Sequence, residues 1–160
     1  RLRQHEHHVP HDHQLRELQD AKAVLGECRA ELRAEGKKFD KKLEVGTMIE
    51  TPAAVLIADE LARGVRLLLH RHQRSDPVHL RSGPPERKAG AFLQPAPPAV
   101  LRAIKMTIDA GHRHGIWVGI CGELGADTAL TETFLRMGVD ELSMNAKSVL
   151  PVRKIIRSID

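Results

Sequence analysis

The chain has 160 residues, of which 41% are hydrophobic and 29% charged, which is ordinary for a soluble protein and enough for one domain with a core. No stretch approaches the roughly 18 consecutive apolar residues of a membrane span, and residues 1–14 are too polar for a signal peptide, so we expect a cytoplasmic protein. The two cysteines, Cys28 and Cys121, are far apart and lack metal-ligand spacing, which argues against a disulfide framework or a zinc site.

The formal net charge of +4 is concentrated in residues 1–16 and 65–98, which together carry +5 while the remainder carries −1. The same two segments hold eight of the ten histidines, and the whole chain has four aromatic residues. Basic chains are typical of proteins that bind nucleic acid or acidic membranes, but few aromatic side chains are available here to stack on bases. A basic, histidine-rich binder of metal or nucleic acid is therefore a minor hypothesis, and we expect no nucleic-acid or membrane partner.

Residues 1–16 contain five closely spaced histidines and no apolar periodicity. One hypothesis is a metal site and the other is a disordered polar end. Imidazole groups select a metal only in a fixed geometry, which favours the second hypothesis. The histidines concerned are His5, His7, His8, His11 and His13.

Residues 17–35 predict an amphipathic helix, because apolar residues recur there every three or four positions. Cys28 lies on this apolar face, and we expect it to pack as a small buried hydrophobe. The apolar positions of the predicted helix are Leu18, Ala21, Leu25, Cys28 and Leu32.

Residues 43–49 predict a strand, and Glu50 stands at its carboxyl end. Thr51 is a suitable N-cap and Pro52 suits the first turn of a helix over residues 53–62. A carboxylate at the position of Glu50 is either a charge at a helix terminus or a metal ligand. The spacing alone does not decide between the two.

The rest of the chain alternates between helices and strands after an interruption. Over residues 65–98 the apolar periodicity disappears and several prolines would break a helix, although a structureless segment of this length is unusual inside a compact domain. The elements predicted beyond it are a helix over 99–115, a strand over 117–121, a helix over 128–137 that stops at Gly138, a strand over 139–144 and a helix from Pro151 to residue 159.

The strand over residues 117–121 ends at Cys121, and glycines follow at positions 122 and 125. Barrel enzymes present their chemistry in this way, on a buried strand that carries a reactive side chain at its carboxyl end. Predicted helices precede and follow this strand, which is the order of elements in a βαβ unit. Cys121 is therefore a candidate catalytic residue.

Two blocks of the sequence resemble the phosphoenolpyruvate-binding domain of phosphoenolpyruvate-protein phosphotransferase, Enzyme I of the sugar phosphotransferase system. The first block is EVGTMIETPAAVLIADELA at residues 44–62, and the second covers residues 99–160 with CGEL and ELSM. Residues 19–40 resemble the helix that precedes them in that family. The related pyruvate phosphate dikinase shares the barrel, but Ser143, Met144 and the short tail are more similar to Enzyme I.

Between these blocks the family carries FFSIGTNDLTQY, DRxNE and NPxHPAV, whereas this chain has LLLHRHQRSDPVHL. Codons chosen for residues 67–79 and shifted by one nucleotide spell FFSIGTNDLTQY, and the same frame permits the two later motifs before the register returns at residue 99. The same shift over residues 4–13 permits NMSIMFPMIT, which resembles the preceding family strand, IMFPMI. We therefore expect residues 1–16 and 65–98 to be translated out of frame; the alternative is two divergent loops.

The resemblance implies an α/β fold, namely the C-terminal and incomplete part of a (βα)8 TIM barrel, with active residues at the carboxyl ends of its strands. It implies that Glu50 is one of two carboxylates that hold Mg²⁺, and that Cys121 protonates the enolate of pyruvate. The second carboxylate, a neighbouring asparagine and an arginine that grips the phosphate would fall inside the shifted residues 65–98.

The resemblance also implies an activity and partners. Members of that family are homodimers that pass the phosphoryl group of phosphoenolpyruvate to a histidine on a separate domain, then to a phosphocarrier protein for sugar uptake, and release pyruvate. No segment here resembles the histidine-bearing domain or the earlier barrel strands, so we expect an inactive fragment of such a kinase. The alternative is a pseudoenzyme or interaction module that keeps the helices of the barrel.

Overall fold

The computed structural model describes residues 10–71 and 96–159, with side chains from residue 15 onward. Helices and strands alternate along this part of the chain, as the sequence predicts. In chain order the elements are α1 (Pro10–Ala34), β1 (Gly46–Ile49), α2 (Pro52–Leu56), α3 (Ala58–Ala62), β2 (Leu67–His70), α4 (Pro98–Arg113), β3 (Trp117–Cys121), α5 (Thr131–Met137), β4 (Glu141–Ser143) and α6 (Ala146–Ile156).

The four strands form one parallel sheet in the order β1-β2-β3-β4. Ile49, His70, Ile120 and Leu142 lie side by side across the sheet. Because the strands are parallel, their carboxyl ends meet at the same edge, where loops carry functional side chains in α/β proteins. The predicted α/β class is confirmed in this mixed fold with a parallel sheet.

One face of the sheet is covered by helices, and α4 supplies most of that cover. Val118 and Ile120 of β3 are fully buried, as are Ile104 and Ile108 of α4. Burying one such side chain contributes about 1.5–3 kcal/mol to stability. A Cβ added at Gly111 of α4 would lie 2.3 Å from Val118, so the helix packs on the strand at a distance that only glycine allows.

The opposite face, here called the open face, carries the alternate strand residues. Met48 is exposed, and Leu67, Leu69, Trp117 and Cys121 are half-buried. A Cβ added at position 119 would lie 2.8 Å from Leu69, which places the glycine of β3 on the same face. A side chain that lies on this face at the end of a strand, or directly after it, is therefore accessible to solvent at the carboxyl edge of the sheet.

Strand β2 is not among the predicted elements, because the sequence has no apolar periodicity from residue 65 onward. Leu67–His70 nevertheless pairs on both sides, and Leu68 is fully buried. His70 is buried too, with Nδ1 3.3 Å from Oγ1 of Thr107 on α4. A run of four residues is too short to show a period, so its apolar character was the only available signal.

Two of the predicted helices begin earlier in the structure than the sequence analysis placed them. Helix α1 starts at Pro10, so the expected polar end is helical from that residue. Helix α6 starts at Ala146, because Oδ1 of Asn145 accepts a hydrogen bond from the backbone N–H of Ser148 over 3.1 Å. Pro151 lies inside α6 and does not begin it.

The packing of α1 also corrects a prediction. Cys28 is exposed, and not buried as its position on the apolar face predicts. Leu15 and Leu18 pack against the core, whereas Ala21, on the same predicted face as Cys28, is exposed and Leu25 and Leu32 are only half-buried. The helix therefore uses its amino-terminal turns for packing, and its later turns do not bury the apolar face that the sequence pattern indicates.

Several predictions concern residues outside the described part of the chain. His5, His7 and His8 lie outside it, and only the backbone of His11 and His13 is described, so the histidine metal site stays a prediction. Most of residues 65–98 also lies outside it. Within residues 10–71 and 96–159, no helix combines the length and apolar character needed to cross a membrane.

Candidate functional site

Glu50 is positioned by the junction between β1 and α2. It follows Ile49, which is fully buried in the last position of β1. Thr51 then caps α2, since its Oγ1 accepts a hydrogen bond from the N–H of Ala54 over 3.1 Å, and Pro52 occupies the first turn. This junction holds the Glu50 carboxylate at the carboxyl edge of the sheet.

Arg71 occupies the equivalent position after β2. Its backbone N–H donates to the carbonyl of Ile49 over 3.0 Å, which extends the pairing of β1 and β2 by one residue. Its Nη1 donates to Oε1 of Glu50 over 3.1 Å. The two side chains are 47% and 35% exposed, so this ion pair lies at the rim of the sheet and is partly screened by water.

Cys121 is the last residue of β3 and pairs with Ser143 of β4. Burial raises the pKa of the Cys121 thiol, and the negative charges of Glu50 and Glu141 raise it further, whereas the positive charge of Arg71 lowers it. Burial prevails over Arg71, so the net shift is upward and the thiol is protonated at neutral pH. Glu50, Arg71 and Cys121 thus form one electrostatic cluster over three neighbouring strand ends.

The turn after Cys121 depends on two glycines. Gly122 has φ of +84°, a left-handed conformation that favours glycine, and its N–H donates to the carbonyl of Ser143 over 3.1 Å. A Cβ at Gly125 would lie 2.9 Å from the carbonyl oxygen of Ile120 and 3.0 Å from that of Ser143. The chain therefore folds back tightly beside the strand ends, which explains the glycines around Cys121.

The described residues do not fit a magnesium site. Mg²⁺ prefers octahedral coordination by oxygen ligands. Glu50 supplies one carboxylate, which is already paired with Arg71, and the described part of the chain contains no group of three or more His, Cys, Asp or Glu residues that could hold a metal ion. The role of Glu50 as a metal ligand stays a prediction.

Glu50 and Cys121 are predicted site residues, whereas Arg71 is not predicted from the sequence. The structure brings all three to the same edge of the sheet. A signal is present in the sequence, because Arg71 comes two residues after the apolar run of residues 67–69, whereas Glu50 directly follows its run and Cys121 ends its own. Arg71 lies in residues 65–98, which the sequence comparison predicts to be out of frame, so the sequence assigns no role to it.

A second polar cluster lies near the amino ends of β3 and β4. Oδ2 of Asp140 accepts a hydrogen bond from the backbone N–H of Val118 over 2.8 Å and lies 2.8 Å from Nε2 of His112. Asp59 of α3 likewise contacts Arg113 and His114 at the end of α4. The contacts of Asp140 join α4 to the start of β3 and the turn before β4, and those of Asp59 join α3 to α4. They lie at the edge opposite Cys121, so we assign them a structural role.

Comparison with known proteins identifies the family of this fold. The family described as "PEP-utilising enzyme, PEP-binding domain" matches residues 5–68 and 78–160. Among similar proteins, the phosphoenolpyruvate-protein phosphotransferase of Haemophilus influenzae is 38% identical over 91% of the chain, and those of Staphylococcus carnosus and Listeria monocytogenes are 35% and 34% identical over the same share. The chain spans 25–26% of the length of these relatives. The chain therefore belongs to the family of PEP-utilising enzymes and corresponds to their PEP-binding domain.

Proposed function

We propose that this chain is the phosphoenolpyruvate-binding part of a phosphoenolpyruvate-protein phosphotransferase, an incomplete TIM barrel in a cytoplasmic enzyme. Its substrate would be phosphoenolpyruvate and its product pyruvate. The phosphoryl group would pass to a histidine on another domain and then to a phosphocarrier protein for sugar uptake. The names of the similar proteins and the position of Cys121 at a strand end support this proposal.

The observation that carries the chemistry is the position of the half-buried Cys121 thiol on the open face, at the end of β3. Loss of the phosphoryl group leaves the enolate of pyruvate, which must take a proton on its methylene carbon. The raised pKa keeps a proton on Cys121, and the thiol can give that proton to the carbon as a general acid. Proton transfer leaves Cys121 as a thiolate. The positive charge of Arg71, which lowers the pKa of this thiol, stabilises the thiolate until it regains a proton from water.

We propose that the chain as translated does not complete this reaction. Phosphoryl transfer depends on neutralising the negative charge on the phosphate oxygens. The family resemblance implies that Mg²⁺ supplies this neutralising charge. In a frame-restored enzyme Glu50 would hold that ion together with a second carboxylate from the restored segment. In this chain Glu50 faces Arg71, and the described residues form no group of three or more His, Cys, Asp or Glu side chains that could hold a metal ion.

The out-of-frame interpretation of residues 1–16 and 65–98 stands as a proposal. The family match is interrupted at residues 69–77, inside the second of these segments, although it includes residues 5–16, 65–68 and 78–98 as translated. Strand β2 lies in the same segment, and as translated its residues pair with both neighbouring strands of the sheet. One-nucleotide changes near codons 15, 65 and 98 should restore IMFPMI and GTNDLTQY together; stop codons in the other frame across residues 67–92 would contradict the interpretation.

One calorimetric comparison tests the function. The 160-residue chain and a version with residues 1–16 and 65–98 restored to the family frame are titrated with phosphoenolpyruvate, with and without Mg²⁺. We expect Mg²⁺-dependent binding by the restored chain and at least about 100-fold weaker binding by the chain as translated. Glu50→Ala in the restored chain should abolish the dependence on Mg²⁺. Equal and tight binding by both chains would show that the site does not need the restored segment.

The alternative function is a pseudoenzyme or an interaction module. The ion pair between Glu50 and Arg71 favours it, since this pair engages the carboxylate that the family resemblance assigns to the metal. A restored chain that also fails to bind phosphoenolpyruvate would favour this alternative over a phosphotransferase.

A further inference from the structure

The ion pair between Glu50 and Arg71 is a feature that the family resemblance does not imply. Arg71 is fixed to the same edge by its backbone, because its N–H donates to the carbonyl of Ile49 at the end of β1. Its guanidinium then reaches Oε1 of Glu50 over 3.1 Å. Sheet register therefore imposes this pair, since Ile49 and His70, the residues before Glu50 and Arg71, are partners in the parallel ladder.

A guanidinium at this position opposes a divalent cation in two ways. It satisfies an oxygen of Glu50 that a metal would use, and its own positive charge repels a second cation at the same carboxylate. A metal ion would also require several further oxygen ligands. The described part of the chain provides no cluster of metal-ligating side chains around this pair.

We infer that Arg71 is the resident counter-ion of Glu50 and takes the place that a divalent cation would occupy at the carboxyl edge of the sheet. The residue is a positioning residue, because it orients and neutralises the carboxylate and contacts no reacting atom in the structure. The inference concerns ion binding alone and holds whether or not the chain binds phosphoenolpyruvate.

Mn²⁺ is a suitable probe, because it prefers the same oxygen ligands as Mg²⁺ and broadens nearby NMR signals. The 160-residue chain, labelled with ¹⁵N, is titrated with Mn²⁺ while the backbone amide signals of residues 50, 51 and 121 are followed. Arg71→Met removes the counter-charge and keeps the length of the aliphatic chain. Arg66→Met is the matched control, since Arg66 flanks the amino end of the same strand, β2. Circular dichroism confirms that each variant keeps its helices.

We expect wild type and Arg66→Met to show only weak, millimolar broadening at these amides. Arg71→Met should bind Mn²⁺ at least about tenfold more tightly there, and adding Glu50→Gln to it should return binding to the wild-type level. Arg71→Lys should behave as wild type, because it retains the positive charge. The inference is overturned if wild type binds Mn²⁺ tightly through Glu50, or if Arg71→Met leaves the broadening unchanged.

Discussion

Nε2 of His112 lies 2.8 Å from Oδ2 of Asp140, and this contact ties the end of α4 to the turn before β4. The same carboxylate oxygen accepts a hydrogen bond from the backbone N–H of Val118, at the start of β3. Partial burial raises the pKa of Asp140, but the hydrogen bonds with His112 and Val118 and the positive charge of His112 outweigh it, so the net pKa is lowered.

This lowered pKa predicts a loss of stability in acid. A carboxyl group with a lower pKa in the folded state stabilises the fold above its unfolded pKa, and this contribution is lost as the pH falls below about 4 through the folded value. Asp140→Asn should reduce the free energy of unfolding at pH 6 by about 0.5–1 kcal/mol, a modest value because the side chain is 41% exposed. It should also reduce the fall in stability between about pH 5 and pH 2.

Urea denaturation of the 160-residue chain at several pH values measures both effects. Asp20→Asn, at an exposed carboxylate of α1, serves as the control and should follow the wild-type pH dependence. If Asp140→Asn shows the same pH dependence as wild type, the contact with His112 does not contribute to acid stability.

Gly111 provides a prediction about packing. A Cβ there would lie 2.3 Å from Cγ2 of Val118, so Gly111→Ala must move α4 or β3. We expect this variant to lose about 1–3 kcal/mol of stability, although alanine favours the helix by about 0.5–1 kcal/mol. Gly26→Ala in α1 has nothing within 4 Å and should instead gain that helix preference. Thermal unfolding that shifts both variants in the same direction would contradict the observed packing.

Much of the fold follows from the sequence because its elements are long or clearly bounded. Residues 117–121 form a short apolar run that ends at Cys121, and the structure has β3 over those residues. Gly138 ends α5 as predicted, with φ of +89°. An apolar run and a glycine that ends a helix in the left-handed conformation are both visible in a few consecutive residues. These two features can therefore be predicted without knowing the tertiary contacts.

The features that were missed depend on contacts that a single sequence does not record. The exposure of Cys28 arises because α1 packs through its first turns only, which no periodicity reveals. Pro151 predicts the start of α6 wrongly, because the helix is capped earlier by Asn145 and tolerates the proline inside it. The pairing of Arg71 with Glu50 required knowledge of the sheet register.

The two cysteines should differ in reactivity. Cys28 is exposed on α1, whereas Cys121 is half-buried and its pKa is raised chiefly by burial. Because the thiolate is the nucleophile, iodoacetamide at pH 7.5 should alkylate Cys28 at least about tenfold faster than Cys121. Arg71→Met should slow Cys121 further, since Arg71 lowers the pKa of that thiol, and leave Cys28 unchanged. Peptide mass spectrometry gives both rates; equal rates at the two cysteines would contradict the burial of Cys121.

The proposed role of Cys121 predicts which half of the reaction its removal affects. In a full-length enzyme with the frame restored, Cys121→Ala should slow pyruvate formation by about 10²–10⁴, as expected for a lost general acid, and leave the affinity for phosphoenolpyruvate within about threefold. The affinity should persist because the thiol serves the enolate, whereas the phosphate is bound by other groups. Cys28→Ala, at the exposed cysteine, is the control and should retain normal turnover. If Cys121→Ala keeps near-normal turnover and is only slightly less stable, the thiol merely packs at the end of β3 and takes no part in the mechanism.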